Sequence, residues 1–355
     1  LFTGEVIKTY EDLDSSVKIR KLCKYKKSNP FYRISTWLIF FIQSLLLVLI
    51  DSKKDTKIWI STNPPIAPWI NLFQNNVSYI HVYDVYPNAL LALPYVKKES
   101  LIYKFFLYLN QKSYKKSTHV FTPSNGMKKM LVDSVDQQKV KVIPWWADTE
   151  FIKPIDKNKN EFIDQHGLKD TFNVMYSGNL GSTHNIEKIL ETALFLKDDK
   201  SIKFIIIGEG PKKRYVDNFQ KRYKLTNLLI LPFQNEKVLP YSLAAADISI
   251  VLDSFASNVD SGSTASIPSK TFYIMAAGSI IYAESDETSE LNSLIKSRNL
   301  GFCDTSKDIH NFVEFIKDCN SNESLRKTFQ ANCRESSFSF TKKNAQMLYD
   351  EIQKK

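Results

Sequence analysis

Cysteine is scarce and unpatterned: the 355 residues carry four, Cys23, Cys303, Cys319 and Cys333, with no CxxC pair and no metal-ligand spacing. That excludes a disulfide-stapled small domain and a structural zinc site, and a chain of this length builds a core without either. The thiols read as reduced residues of a cytosolic protein. No apolar run reaches the roughly 20 residues that cross a bilayer as a helix. The longest, Trp37 to Ile50, has 14 residues interrupted only by Gln43 and Ser44. It reads as a buried helix of an α/β lobe in preference to one lying in the membrane interface. Internal repeats and low-complexity tracts are missing too. With 43% hydrophobic and 24% charged residues, disorder, collagen and coiled coil are excluded. The chain opens at Leu1 with no initiator Met and no signal-peptide pattern, so part of a natural N-terminus is expected to precede it.

What is present is enough apolar material for two cores, since single cores stop growing near about 250 to 300 residues. The formal charge is +10, from 48 Lys+Arg against 38 Asp+Glu. Residues 1 to 150 hold 21 basic and 12 acidic groups, leaving 27 and 26 for the rest. An excess of +9 in the first part and +1 in the second points to one lobe facing an anionic partner, a membrane surface or a nucleic acid.

Short β-prone runs end in loops at Lys57 to Ser61, Val77 to Tyr83, Thr118 to Thr122 and Val140 to Ile143. Helix-length segments separate them, which predicts a parallel sheet with crossover helices. Residues 151 to 172 are polar and lysine-rich and read as a linker. The alternation restarts at Phe172 to Tyr176, Lys203 to Ile207, Leu228 to Leu231, Ile248 to Leu252 and Ser279 to Ala283. Helix Ile186 to Leu196 carries Ile186, Ile189, Leu190, Ala193 and Leu194 on one face. Two doubly wound units place a ligand cleft at the carboxyl ends of their strands.

Three segments of the second part can carry chemistry. Tyr176-Ser-Gly178-Asn179-Leu180-Gly181-Ser-Thr-His184-Asn185 runs from a strand through a glycine turn into a helix N-terminus, where backbone N–H groups favour a phosphate. The same pattern also suits a tight turn with Asn185 as helix cap and His184 in a structural role. Gly208-Glu209-Gly210-Pro211 sets an acid at a strand end, either to hold a sugar hydroxyl or to complement a helix dipole. Ile267-Pro-Ser269-Lys270 precedes Met275-Ala-Ala-Gly278, and the 261–266 serine-rich loop before it can wrap an anion. Lys270, in an otherwise apolar stretch, either snorkels to solvent or faces a phosphate.

The ordered series Val142-Ile-Pro-Trp-Trp-Ala-Asp148, Tyr176-Ser-Gly-Asn-Leu-Gly181, Gly208-Glu-Gly-Pro211, Ala244-Ala-Ala-Asp247, Pro268-Ser-Lys270, Met275-Ala-Ala-Gly278 and Ser289-Glu290 resembles glycosyltransferase family 4. Within it the series looks like the bacterial surface-polysaccharide branch with a PSK…MAAG motif, the fucosaminyltransferase-like enzymes. The resemblance runs from about Trp59 onward. It implies a GT-B architecture in the α/β class: two Rossmann-like doubly wound lobes facing a central cleft, with a C-terminal helix, here Lys342 to Gln353, returning to the N-terminal lobe. The implied division is 1–155 for the acceptor lobe, 156–335 for the nucleotide-sugar lobe and 336–355 for the returning helix. The first strand and glycine-rich loop of the family are expected to be missing from this chain.

The resemblance further implies a retaining, metal-independent transfer with no cofactor. The donor it implies is a UDP-sugar, with GDP- and dTDP-sugars as alternatives. Gly178, Asn179, Gly181, His184, Ser269 and Lys270 fall at donor-phosphate positions, and Glu209, Phe233 and Tyr273 near the nucleoside and sugar. Two cations common in the family are replaced by Asn179 and His184, and its two glutamates fall at Ala265 and Tyr273. In the first part, Tyr83-Asp84-Val-Tyr86-Pro87 resembles the family's Asp-x-Trp-Pro element. Asp84 and Lys270 are therefore the candidate catalytic residues, with Asp84 on the acceptor hydroxyl or the developing positive sugar, while His81 reads as packed. The stretch Lys97 to Lys116 reads as an amphipathic basic helix with Phe105, Ile102, Leu109 and Phe106 on the side away from Lys97, Lys104 and Lys115.

The resulting expectation is an enzyme that extends a polyprenyl-diphosphate-linked saccharide in capsule or O-antigen synthesis. It would sit in the cytoplasm, peripherally on the inner face of the plasma membrane, its basic lobe on anionic lipid and with no nucleic acid bound. The alternatives are a GT-B nucleotide-sugar epimerase and a basic nucleic-acid-binding protein, the latter unsupported by any recognition motif.

Overall fold

The computed structural model describes residues 1–4, 16–26, 29–92, 96–253, 263–306 and 308–354. By contacts the chain divides into two units, one from Leu1 to Val142 and one from Ile143 onward. The boundary lies ahead of the expected linker. Residues 151–172 contain the helix Glu161–His166, capped by the Asn160 side chain. Phe162 and Ile163 bury against Met175, Ile205 and Ile207. Two adjacent apolar residues inside a lysine-rich stretch thus tie it into the second unit. Of the serine-rich loop 261–266, residues 261 and 262 lie outside the described residues.

In the first unit β1 (Phe2–Thr3) and β2 (Arg20–Lys21) make a short parallel pair. β3 (Ile58–Ser61), β4 (Ser78–His81), β5 (His119–Thr122) and β6 (Val140–Val142) follow as a parallel sheet in sequential order. The second unit carries β7 (Phe172–Ser177), β8 (Ile202–Ile207), β9 (Leu228–Leu231), β10 (Ile248–Leu252), β11 (Ile280–Glu284) and β12 (Gly301–Asp304). Their order is β9-β8-β7-β10-β11-β12, all parallel. The strand order therefore reverses between β7 and β10, the place where open α/β sheets bind ligands outside their carboxyl ends. Every strand expected from the pattern is present. β12 was not expected, because its four residues begin with glycine and end with aspartate.

These strands are continuous apolar runs because both faces of the sheet are covered. Val174 and Tyr176 point to one core with Ile206, Ile250, Tyr282 and the buried face of helix Ile186–Phe195. Met175 points to the opposite face, under Phe162. The final helix forms as Lys343–Gln353. Its start is held by Asn344 Nδ2 donating to Pro144 O at 3.1 Å, and Ala147 N donates to Phe340 O at 3.1 Å.

Two helices of the first unit leave apolar residues uncovered. The apolar run is part of a 22-residue helix, Pro30–Asp51, because Ser35 and Thr36 return their hydroxyls to Phe31 O and Tyr32 O and let it continue. Residues Phe31–Asp51 are long and apolar enough to cross a membrane, and only 17% of the apolar window is buried. The buried-helix reading is thereby overturned. In helix Leu101–Lys116, Ile102 and Phe105 are exposed together with Lys104 and Lys115, and the buried side carries Tyr103, Asn110, Ser113 and Tyr114.

Candidate functional site

Tyr176 ends the buried part of β7, and the chain then turns at Gly178 toward helix Ile186–Phe195. A second glycine loop, following β8, packs directly on this turn. Gly178 N donates to Ile207 O at 2.9 Å and Leu180 N to Glu209 O at 2.8 Å. A Cβ on Gly208 would lie 1.9 Å from Gly178 O, so the two loops meet backbone to backbone and no other residue fits there. This pairing takes up the N–H groups of Gly178 and Leu180. Among the described residues no partner takes the N–H of Asn179, Gly181, Ser182 or Thr183, and Asn179 and Gly181 are the open amides of the glycine motif itself.

Lys270 opens helix Lys270–Ala277 and sends its side chain back to the same turn. Its Nζ lies 4.3 Å from the centroid of the Tyr176 ring, a cation–π contact. A Cβ on Gly178 would come within 2.9 Å of that nitrogen. Among the described residues the ammonium is buried without a hydrogen-bond partner, and burial pushes its pKa down to about 8. A buried cation with no anion to pair with is costly. Its placement beside a glycine turn, at the reversal of strand order, fits a site that receives a negative group. The snorkelling alternative fails, because the charged end is the buried end.

His184 is tied into the turn through one ring nitrogen. Its Nδ1 lies 2.9 Å from Asn179 O and 3.1 Å from Tyr176 Oη, and the bond to a carbonyl requires the proton on Nδ1. Burial, with Lys270 and Lys212 nearby, holds the imidazole below its ordinary value, against the pull of the Asn179 bond. A neutral ring so tied braces the turn. Lys212, the neighbouring cation, donates to His184 O at 2.7 Å and pairs with Glu187 at 2.7 Å. Lys270 is left as the cation aimed at the turn.

Residues 158–336 match the family model described as glycosyl transferases group 1. The chain belongs to the glycosyl transferases group 1 family. It is similar to a Pseudomonas aeruginosa protein named as a glycosyltransferase, WbjE, at 23% identity over 293 residues, 79% of this chain and 70% of that one. It is similar also to an Escherichia coli K12 protein named for colanic acid biosynthesis glycosyl transfer, WcaI, at 27% identity over 173 residues, 48% of this chain and 41% of that one. Among solved structures, Anabaena HepE in complex with UDP and glucose matches with TM-score 0.71 at 13% identity, covering 96% of this chain and 87% of that one. The fold is the GT-B one expected.

In this group 1 glycosyl transferase the other expected site residues are placed as follows. Ser269 precedes Lys270 and makes no side-chain cap. Tyr273 lines a cavity of about 110 Å³ with Ser177, Ser249 and Lys270, beside the reversal of strand order. Glu209 is exposed on the second glycine loop, its carbonyl held by Leu180. Phe233 follows β9 and is 54% exposed. Asp84, in the first unit, follows β4; its backbone N–H donates to Thr62 Oγ1 at 3.4 Å. Its side chain is exposed, yet partial desolvation raises its carboxyl above the usual range. His81 is buried, its ring 4.3 Å from that of Tyr83, as the packed reading requires.

Two residues of this glycosyl transferase escaped the sequence reading. Tyr176 stands in the motif without a role of its own in sequence, although its hydroxyl donates to Asn179 O at 2.7 Å while its ring carries Lys270. An aromatic residue as the last buried position before a glycine turn was the available signal. Asn185 is no helix cap: its Nδ2 donates to Glu284 Oε1 at 2.6 Å, joining the turn to the end of β11. Burial raises the Glu284 carboxyl, whose Oε2 has no partner among the described residues.

Proposed function

We propose that this glycosyl transferase moves a sugar, with retention, from a nucleoside diphosphate to a polyprenyl-diphosphate-linked saccharide in capsule or O-antigen assembly. UDP-sugars are the first candidates for donor and GDP- or dTDP-sugars the next. The observation that carries the reading is the unpartnered Lys270 ammonium against the Gly178 turn. During transfer the bond from the anomeric carbon to the diphosphate oxygen breaks and negative charge grows on that oxygen. Lys270 and the Asn179 and Gly181 amides stand ready to stabilise it without reorganisation, so a metal ion is not required for charge neutralisation in this reading. The donor is supported by HepE, which carries UDP in its structure. The polysaccharide context is supported by the name of WcaI. The +9 first part supports an acceptor anchored in the inner face of the plasma membrane.

Purified protein incubated with a panel of UDP-, GDP- and dTDP-sugars and polyprenyl-diphosphate saccharides tests this, with products read by mass spectrometry and the new linkage by NMR. Transfer with one donor and retained anomeric configuration is expected. Absence of nucleotide binding and of transfer from every donor would reject it. In the same assay Asp84→Asn should lower turnover about 10²-fold or more, the range of a lost general base, with UDP affinity kept. A folded Asp84→Asn of full activity removes Asp84 from the chemistry.

Tyr176→Phe separates the ring from the hydroxyl. It keeps the surface under Lys270 and deletes the bond to Asn179 O, worth about 1 kcal/mol. Calorimetric titration with UDP should show affinity about fivefold weaker. An unchanged affinity would mean that the turn holds its shape without Tyr176.

A further inference from the structure

Helix Leu101–Lys116 is built inside out. Its buried residues are Tyr103, Asn110, Ser113 and Tyr114, of which Asn110 and Ser113 hydrogen-bond inward through their side chains. Asn110 Nδ2 donates to Tyr86 O and Asn110 Oδ1 accepts from Trp69 Nε1, both at 2.8 Å; Ser113 O accepts from Asn71 Nδ2 at 2.8 Å. The outward side carries Leu101, Ile102, Phe105 and Tyr108, exposed by 85%, 61%, 57% and 52%. At about 100° per residue Leu101, Phe105, Tyr108 and Lys112 share an arc of about 60°, and Lys112 Nζ sits 4.6 Å from the Tyr108 ring. Residues 97–116 hold six lysines against the single acid Glu99. A helix whose outer side faced only water would carry the opposite pattern, and isolated exposed apolar residues do not gather on adjacent turns.

We propose that this helix lies in the interfacial layer of an anionic phospholipid bilayer. Leu101, Ile102, Phe105 and Tyr108 enter the acyl boundary and Lys104 and Lys112 meet lipid phosphates. Charge selects the occupant: a second copy of the chain would bring the same lysines against this face, and like charges in apposition disfavour that pairing. The inference deepens the membrane-side acceptor reading above and rests on it. It assigns the contact to this helix and not to Pro30–Asp51, which is also exposed and apolar but carries no lysine to meet lipid phosphates.

Vesicle flotation of the full chain tests it at physiological salt, with phosphatidylcholine alone or with about 30% phosphatidylglycerol. The wild type should float with the anionic vesicles only. Ile102→Ser combined with Phe105→Ser, and separately Lys104→Glu combined with Lys112→Glu, should each cut the bound fraction about fivefold or more. Both should keep the wild-type melting temperature and UDP affinity. No flotation of a wild type that binds UDP overturns the proposal and leaves the donor reading intact; flotation without UDP binding does the reverse. Undiminished flotation of both double variants overturns it. So does loss confined to Ile42→Ser with Leu46→Ser, which would move the contact to the other helix. A wild-type dimer that Phe105→Ser dissolves, with no flotation, would make the face a protein interface and overturn it too.

Discussion

Lys270→Met is expected to lower turnover by about 10²- to 10³-fold, the loss of one preorganised charge worth about 2 to 4 kcal/mol, and at the same time to make the protein more stable. Methionine follows the lysine stem closely in shape and removes an ammonium that is buried without a partner among the described residues. Function and stability then move in opposite directions, as they do where a charge is kept for a ligand and not for the fold. Urea unfolding should show a higher midpoint at unchanged slope. The pH dependence follows from the sign of the shift. Burial lowers the folded pKa from 10.5 to about 8, so between those values the unfolded chain binds the proton and the folded chain does not. Wild-type stability therefore rises with pH across that window as the cost of the buried charge is relieved. The Met variant lacks this rise. Affinity for UDP runs the other way, because the diphosphate needs the protonated form, and should weaken by about tenfold per pH unit above about 8. Full turnover and an unmoved urea midpoint in Lys270→Met would show that the ammonium serves neither purpose.

Lys188→Met is expected to cost about 3 to 5 kcal/mol of stability, a large share of what a domain possesses. Lys188 lies on the buried face of helix Ile186–Phe195, its Nζ 2.8 Å from Asp304 Oδ2, with side chains 2% and 1% exposed. Burial by itself would raise the Asp304 carboxyl. Donation from Lys188, Ser306 and Tyr282, the last at 2.7 Å, instead holds it below the usual range. That contribution is present above the unfolded carboxylate value and is lost as pH falls through the lower folded one. Removing the lysine leaves an uncompensated carboxylate in the core of the second unit. Adding Asp304→Asn to Lys188→Met should recover part of the loss, since the remaining donors then meet a neutral amide. A single variant within about 0.5 kcal/mol of wild type, the range of an ordinary surface change, would show that water reaches the pair.

Much of the fold was legible because its signals are local. β8, with Ile202, Phe204 and three consecutive isoleucines, reads as a strand buried on both faces wherever it lies in the chain. Helix Ile186–Phe195 shows its inner side by spacing alone. The glycine turn and Lys270 were also visible as separate motifs. Their contact was not, because nothing near Lys270 in sequence names Tyr176 as the surface beneath it. Glycine at 178 looked like provision for a phosphate, and the loop at 208 like a mount for Glu209. At 208 it is compelled by Gly178 O, a backbone atom of another loop. His184 and Asn185 carried plausible ligand and cap roles until Asn179 O and Glu284 proved to hold them.

The amino-acid sequence by itself determined the class of the protein, the number and order of nearly all its strands, the presence of two units and the segments that form the site. Those features follow from which residues are apolar, how often they recur and where the backbone must turn. Tertiary structure alone decided which charge is left unpaired, which amides remain open to an anion, and which sides of helices Pro30–Asp51 and Leu101–Lys116 stay uncovered. Pattern states which side of a helix is apolar; whether that side meets a core or the surroundings depends on atoms contributed from elsewhere in the chain.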